Sequence, residues 1–165
     1  MIKTAIQSLL ENDNSVAASG RVDHTAYTAA FAIFFAIVGT RIHAIQLPKT
    51  SNAFLSQVQT ATIFFYVAAT KFDHCHDGAV NLTTAVVRIH CVASSTIDVD
   101  KSLWAVGNML NAWSGAAGKD ADAGAITIQN IEQDDSADAY SAPLGASEFG
   151  LNEGMIELNV YYNNP

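Results

Sequence analysis

Four polar residues in a row, His74-Cys75-His76-Asp77, carry more potential chemistry than any other stretch of this sequence. Two histidines two apart on an extended chain project from the same face, and with a cysteine or an aspartate beside them they could complete a tetrahedral zinc site. His90-Cys91 adds two further ligand types downstream. Against a metal centre, no second paired-ligand motif stands at the usual spacing. Asp77-Gly78 marks a hairpin tip, where polar residues collect, and in a regular hairpin His90 lies well along the return strand from His76. Surface histidines and a buried Cys91 are the default reading. Asp134-Asp135 and Asp138 could hold a divalent cation or act as acid and base, yet a run of carboxylates is ordinarily a solvated loop. Gly115-Ala116-Ala117-Gly118-Lys119 is followed by Asp120, where a phosphate-binding loop needs Ser or Thr and an earlier glycine, so it reads as a helix-to-strand connector. Neither a G-x-S-x-G elbow nor an H-E-x-x-H pair occurs. We therefore assign no catalytic, cofactor-binding or metal-binding residue and expect a protein that is not an enzyme.

The elements that must position these groups follow from periodicity. Ile2, Ala5, Ile6, Leu9 and Leu10 recur at helical spacing until Asn12-Asp13-Asn14 breaks the run. Arg41 to Gln46 reads as a strand stopped by Pro48. From Val58 to Thr70, Ala61, Ile63, Phe65, Val67 and Ala69 oppose Thr62, Phe64, Tyr66 and Ala68; both faces are apolar, which implies cover from both sides. That strand and Leu82 to Ala93, rich in β-branched residues, predict a long hairpin about Asp77-Gly78. Leu103, Val106, Leu110 and Trp113 predict a helix from Asp98 to Ser114, with Asp98 or Asp100 as N-cap and Gly115 as stop. Trp104 lies half a turn out of phase with Trp113, so Trp113 belongs to the core and Trp104 to its rim or to a subunit contact. Ala125 to Ile131 and Met155 to Tyr162 alternate with period two and predict half-buried strands. Ala26 to Val38 fits a helical stripe through Phe31, Phe34, Phe35 and Val38, and its density of Ile, Val and Phe also suits a strand. The sum is an α+β fold: an antiparallel or mixed sheet of about five strands with two or more helices packed on it.

Composition bounds the rest. At 165 residues, 50% of them hydrophobic and 15% charged, residues 1–165 suffice for one sizeable core, and no Pro/Gly/Ser-rich linker divides them. Cys75 and Cys91 are too few for a disulfide framework. Met1 to Leu10 lacks the pattern of a secretory signal, which argues for use without export, and the apolar run Ala29 to Val38 is too short to span a bilayer. Up to Lys119 there are eight basic and seven acidic residues, whereas the last 46 residues hold nine acidic ones and no Lys or Arg, so the net charge of −8 resides there. The basic residues are scattered singly, which argues against tight nucleic-acid binding. An acidic wall would let DNA slide past without sticking, and a solvated loop that aids solubility is the simpler reading.

Several segments resemble the tail terminator or tail completion family of long-tailed bacteriophages. They are VVRIHCVAS (Val86 to Ser94), LNAWSG (Leu110 to Gly115), AITIQNIEQDDSADAY (Ala125 to Tyr140), IELNVYY (Ile156 to Tyr162), the opening MIKTAIQSLLENDNSVA (Met1 to Ala17) and GTRIHAIQLP (Gly39 to Pro48). These are packing patterns, and it is their order and spacing that carries the likeness. The chain is longer than the family's pattern between Asn14 and Val38 and between Asn52 and Asn81. The resemblance implies a virion structural protein, found in the tail or neck and, during assembly, in the host cytoplasm. It implies a hexameric ring that caps the tail tube, meets the tube protein on one side and a head-completion or connector protein on the other, and lets DNA pass through its lumen without specific binding. A head-completion or tail tube protein is the nearer alternative. A small metal-binding enzyme using His74 and His76 is the distant one.

Overall fold

The fold is described from a computed structural model for residues 2–12, 24–46, 48–74, 80–117, 126–134 and 143–163. Helix α1 (Ile2–Glu11) buries Ala5, Ile6, Leu9 and Leu10 on one side and ends where Asn12 turns into the left-handed region. Residues His24–Val38 are helical (α2), which resolves the ambiguity of that stretch. Five alanines lower the cost of helix there, and Gly39, at φ 61°, closes it by donating its N–H to the Phe35 carbonyl. Arg41 then fastens the end of α2 to the sheet, its Nη2 donating to the Ile37 carbonyl at 2.6 Å and its Nε to the Ala61 carbonyl at 2.9 Å.

The strands are β1 (Ile42–Ala44), β2 (Thr62–His74), β3 (Val80–Ala93), β4 (Gly115–Ala117), β5 (Ile126–Asp134) and β6 (Asn152–Asn163). They form one mixed sheet in the order β1-β2-β3-β6-β5-β4, parallel only between β1 and β2. The sheet of about five expected strands has six among the described residues, two of them three residues long. Strand β2 begins four residues later than its periodicity suggested: after 3₁₀ turn Pro48–Ser51 and helix α3 (Asn52–Leu55), Val58 is still held in a turn by its N–H to the Leu55 carbonyl. Gly115 does not stop a helix but opens β4, so the expected connector is an edge strand paired with Ile126 to Ile128. Bulges follow Val67 in β2 and Ile128 in β5. The sheet curls so far that α1 touches both of its outermost strands, β1 and β4.

Helix α4 (Thr96–Leu110) starts two residues earlier than predicted. Its N-cap is Ser95, whose hydroxyl accepts the Asp98 N–H, so neither aspartate caps it and Asp98 lies in the first turn instead. It also ends earlier, at Leu110. Ala112 takes φ 61° and donates its N–H to the Ile131 carbonyl, while Asn111 Oδ1 accepts the Gln133 N–H, so the helix exit docks on β5. That turn carries Trp113 into the core with no exposure, as its place in the pattern indicated, although it stands beyond the helix.

Helix α4 lies across β3 and β6, and α2 packs along α4. The close approach depends on Gly154, where a Cβ would meet Leu103 Cδ1 and Val99 Cγ1 at 2.7 Å each. On this side the sheet contributes Ile63, Phe65, Val87, Ile89, Cys91, Leu158 and Val160, all at 0% exposure. Full burial of each large apolar side chain is worth ~1.5–3 kcal/mol. The other side carries a smaller cluster, Ile45, Leu55, Phe64, Tyr66, Val92, Leu144 and Ala146, covered by α3 and by residues 143–151. Cover from both sides therefore holds for only the first part of β2; Ala68 to Asp73 are exposed. No described helix is long and apolar enough to cross a membrane.

Candidate functional site

Most of the residues that first suggested chemistry lie outside the described part of the chain. His74 closes β2, and Cys75, His76 and Asp77 lie outside the described residues, as do Gly118, Lys119, Asp135 and Asp138. Asp134 is not in a loop: it closes β5 opposite Glu157 of β6. Among the described residues no three His, Cys, Asp or Glu side chains are grouped closely enough to hold a metal ion. Cys91 is buried as expected. Burial pushes its thiol up to about 12, Asp98 adds to the shift and Ser102 opposes it, so the reactive thiolate is scarce at neutral pH.

His90 departs from the expectation of a surface histidine, with 0% exposure. In β3 the odd-numbered residues face the helices, and Arg88 and His90 point to the other side, where β6 presents Glu157 and Glu153. Arg88 Nε donates to Glu157 Oε2 at 2.6 Å, and His90 Nδ1 lies 2.8 Å from Glu153 Oε1. The Glu157 hydrogen bond, followed by the neighbouring Tyr66, holds the Arg88 guanidinium above its ordinary pKa in spite of burial. Burial alone would raise the Glu153 carboxyl. The His90 hydrogen bond, the Leu144 N–H, the His90 charge and the Ala146 N–H together outweigh it and hold Glu153 below its ordinary value.

A carboxylate that orients an imidazole is the arrangement found behind many general bases and metal ligands. Here its free end leads nowhere obvious. Among the described residues His90 Nε2 is buried without a hydrogen-bond partner, and the Tyr66 hydroxyl, close enough to Arg88 to favour its charge, makes no hydrogen bond of ordinary geometry either. The Tyr66 and His90 rings stack with centroids 5.7 Å apart. Two surface grooves, of about 380 and 390 Å³, are lined by other residues. What Glu153 visibly does is mechanical: it accepts the Leu144 N–H at 2.7 Å and the Ala146 N–H at 3.5 Å, pinning residues 143–151 to the sheet. Sequence reasoning missed both cross-strand pairs. The signal was present: charged or polar residues on one face of two strands of opposite direction, Arg88 and His90 two apart in one, Glu153 and Glu157 four apart in the other.

The second candidate is a surface. Helix α2 has no charged residue over its 15 positions. Tyr27, Ala30, Phe34 and Val38 are buried along one stripe, yet Ala29, Ala32, Ile33, Phe35 and Ala36 are exposed, Phe35 by 51%. A helix that is apolar all round belongs in an interior or against a partner. Next to it on α4, Trp104 and Ile97 are 59% and 64% exposed, as the phase of Trp104 predicted. Ala26 and Trp104 flank the groove of about 380 Å³, whose polar lining is Asn108, Asn111 and Gln133. The arrangement suits protein contact by apolar residues and neutral amides. Comparison with protein-family models and with curated protein sequences finds no match.

Proposed function

We propose that this protein is a structural part of a phage tail, a terminator that caps the tail tube as a ring and joins the tail to the head, acting by shape and not by turnover. The order of packing segments from Met1 to Tyr162 supports the kind of assembly. The observation that carries self-association is the uncharged, half-exposed α2 beside Trp104 of α4. Six copies would close by heterologous contact, one side of each subunit meeting a different side of the next. Growth of the tube stops because the outer side of the ring cannot repeat the tube-to-tube contact. The acidic C-terminal third suits a lumen through which DNA slides unbound. Its place would be the virion tail or neck, and the host cytoplasm while particles assemble.

The test is electron microscopy of particles assembled without this chain. The expected outcome is tails of abnormal length or tails detached from heads; normal virions would overturn the proposal. A tube protein is the nearer rival, and it polymerises without limit when pure. Long tubes grown from this chain alone would favour that rival.

A further inference from the structure

The outer edge of β2 is covered by β1 only at Ile63 to Phe65. From Tyr66 to His74 no described strand pairs the side away from β3, and Ala68 to Asp73 are all exposed. Such an edge is a template for a further strand. Which backbone groups it offers follows from the register. Ahead of the bulge, odd-numbered residues face outward: Ile63 donates its N–H to Arg41 and Phe65 accepts from Ile45. The extra residue after Val67 reverses the alternation, so that Ala69, Lys71 and Asp73 pair inward with Val86, Thr84 and Leu82, and Thr70 and Phe72 present N–H and C=O to the open side.

We propose that two copies of this chain join edge to edge over Thr70 to His74 of β2, antiparallel about a two-fold axis at Phe72, the sheet of one continuing into the other. The side chains on the edge specify that occupant and that register. With the axis at Phe72, the two Phe72 residues exchange both of their outward backbone hydrogen bonds, and Lys71 of each copy stands opposite Asp73 of the other. A shift of the axis to Lys71 would set lysine against lysine. Within one chain Lys71 Nζ and Asp73 Oδ1 are 3.5 Å apart with side chains 78% and 50% exposed, so both remain available to a second copy. Phe72, 54% exposed, would gain an aromatic neighbour across the axis. A two-fold contact is complete at two copies. It is therefore not the head-to-tail contact of a ring but the state of the subunit outside one, and it stands independently of the tail reading.

The test is sedimentation equilibrium of the full chain and of Lys71→Asp and Asp73→Lys, singly and mixed, with circular dichroism as the check on folding. The unmodified chain is expected to dimerise, less so in high salt. Each single variant should dissociate about tenfold more readily, because two attractive cross-strand pairs become repulsive. The equimolar mixture should recover the original association, since the acids of one variant then face the lysines of the other; a contact within one chain cannot produce that recovery. A monomeric unmodified chain, single variants that pair as it does, or a mixture without recovery each overturns the proposal. Should either variant misfold, amide exchange at Phe72 in the unmodified chain decides: it should slow as concentration rises, and fast exchange at every concentration would sink the pairing.

Discussion

The two faces of the central strands differ although their residues alternate along the same backbone. Toward the helices β2, β3 and β6 contribute Ile63, Phe65, Val87, Ile89, Leu158 and Val160, and nothing polar interrupts them. One position along, the opposite face holds Tyr66, Arg88, His90, Glu153 and Glu157, four of them paired across strands, with Tyr66 and His90 buried and the other three partly exposed. The apolar face gains from any close packing. The polar face gains only when each partner is in place, so it fixes register while adding less stability.

The comparison breaks if truncation costs the same on both faces. Phe65→Ala should destabilise the chain by ~3–5 kcal/mol in denaturant unfolding, the range for a large aromatic removed from a closed core. Glu153→Ala should cost ~1–3 kcal/mol, because it strands His90 Nδ1 and two backbone N–H groups. Its second readout is proteolysis within residues 143–151, which should quicken more than global unfolding does.

The polar face should also make stability depend on acid. The Glu153 carboxyl is held lower in the folded chain than in the unfolded one, so its contribution is present above the unfolded carboxylate value and is lost as pH falls through the folded value. Unfolding free energy is therefore expected to drop on acidification below the ordinary glutamate value of 4.5, and Glu153→Gln should flatten that part of the profile. An unchanged slope would show that the pair contributes nothing through protonation. The smallest effect on folding belongs to the exposed side of α2. Phe35→Ser should cost about 1 kcal/mol, since half of the ring is exposed and the rest lies on Phe31, and should still weaken assembly into rings, measured by light scattering. A large loss of stability there would mean that the face is interior and not a contact surface.

The α+β class and the long strands were legible because period-two and period-3.6 patterns are set by burial on one side of each element. Boundaries failed where tertiary partners decided them. Ser95, and not Asp98 or Asp100, caps α4, and a left-handed Ala112 stops it because β5 lies there to receive its N–H and to donate the Gln133 N–H to the Asn111 side-chain Oδ1. The three-residue strands β1 and β4 are too short to leave a period. His90 was placed on the surface because a single strand does not reveal its neighbour; only with β6 alongside does the histidine acquire Glu153 and a reason to be buried. The helix of 24–38 could be read once its alanines and Gly39 were weighed as helix formers and terminator, whereas its exposed side could have been suspected from the absence of charge.

The docking of the α4 exit onto β5 leaves the molecule with unequal margins. On one flank, β4 occupies Ile126 to Ile128 while Ala112 and Asn111 engage Ile131 and Gln133, so an arriving chain finds those backbone groups already bound. The opposite flank stays receptive beyond Phe65. The β4 margin is only three residues long, so among the described residues the protomer offers an arriving chain one long margin and one short one, an inequality that disfavours the endless edge-to-edge addition of fibrous aggregation.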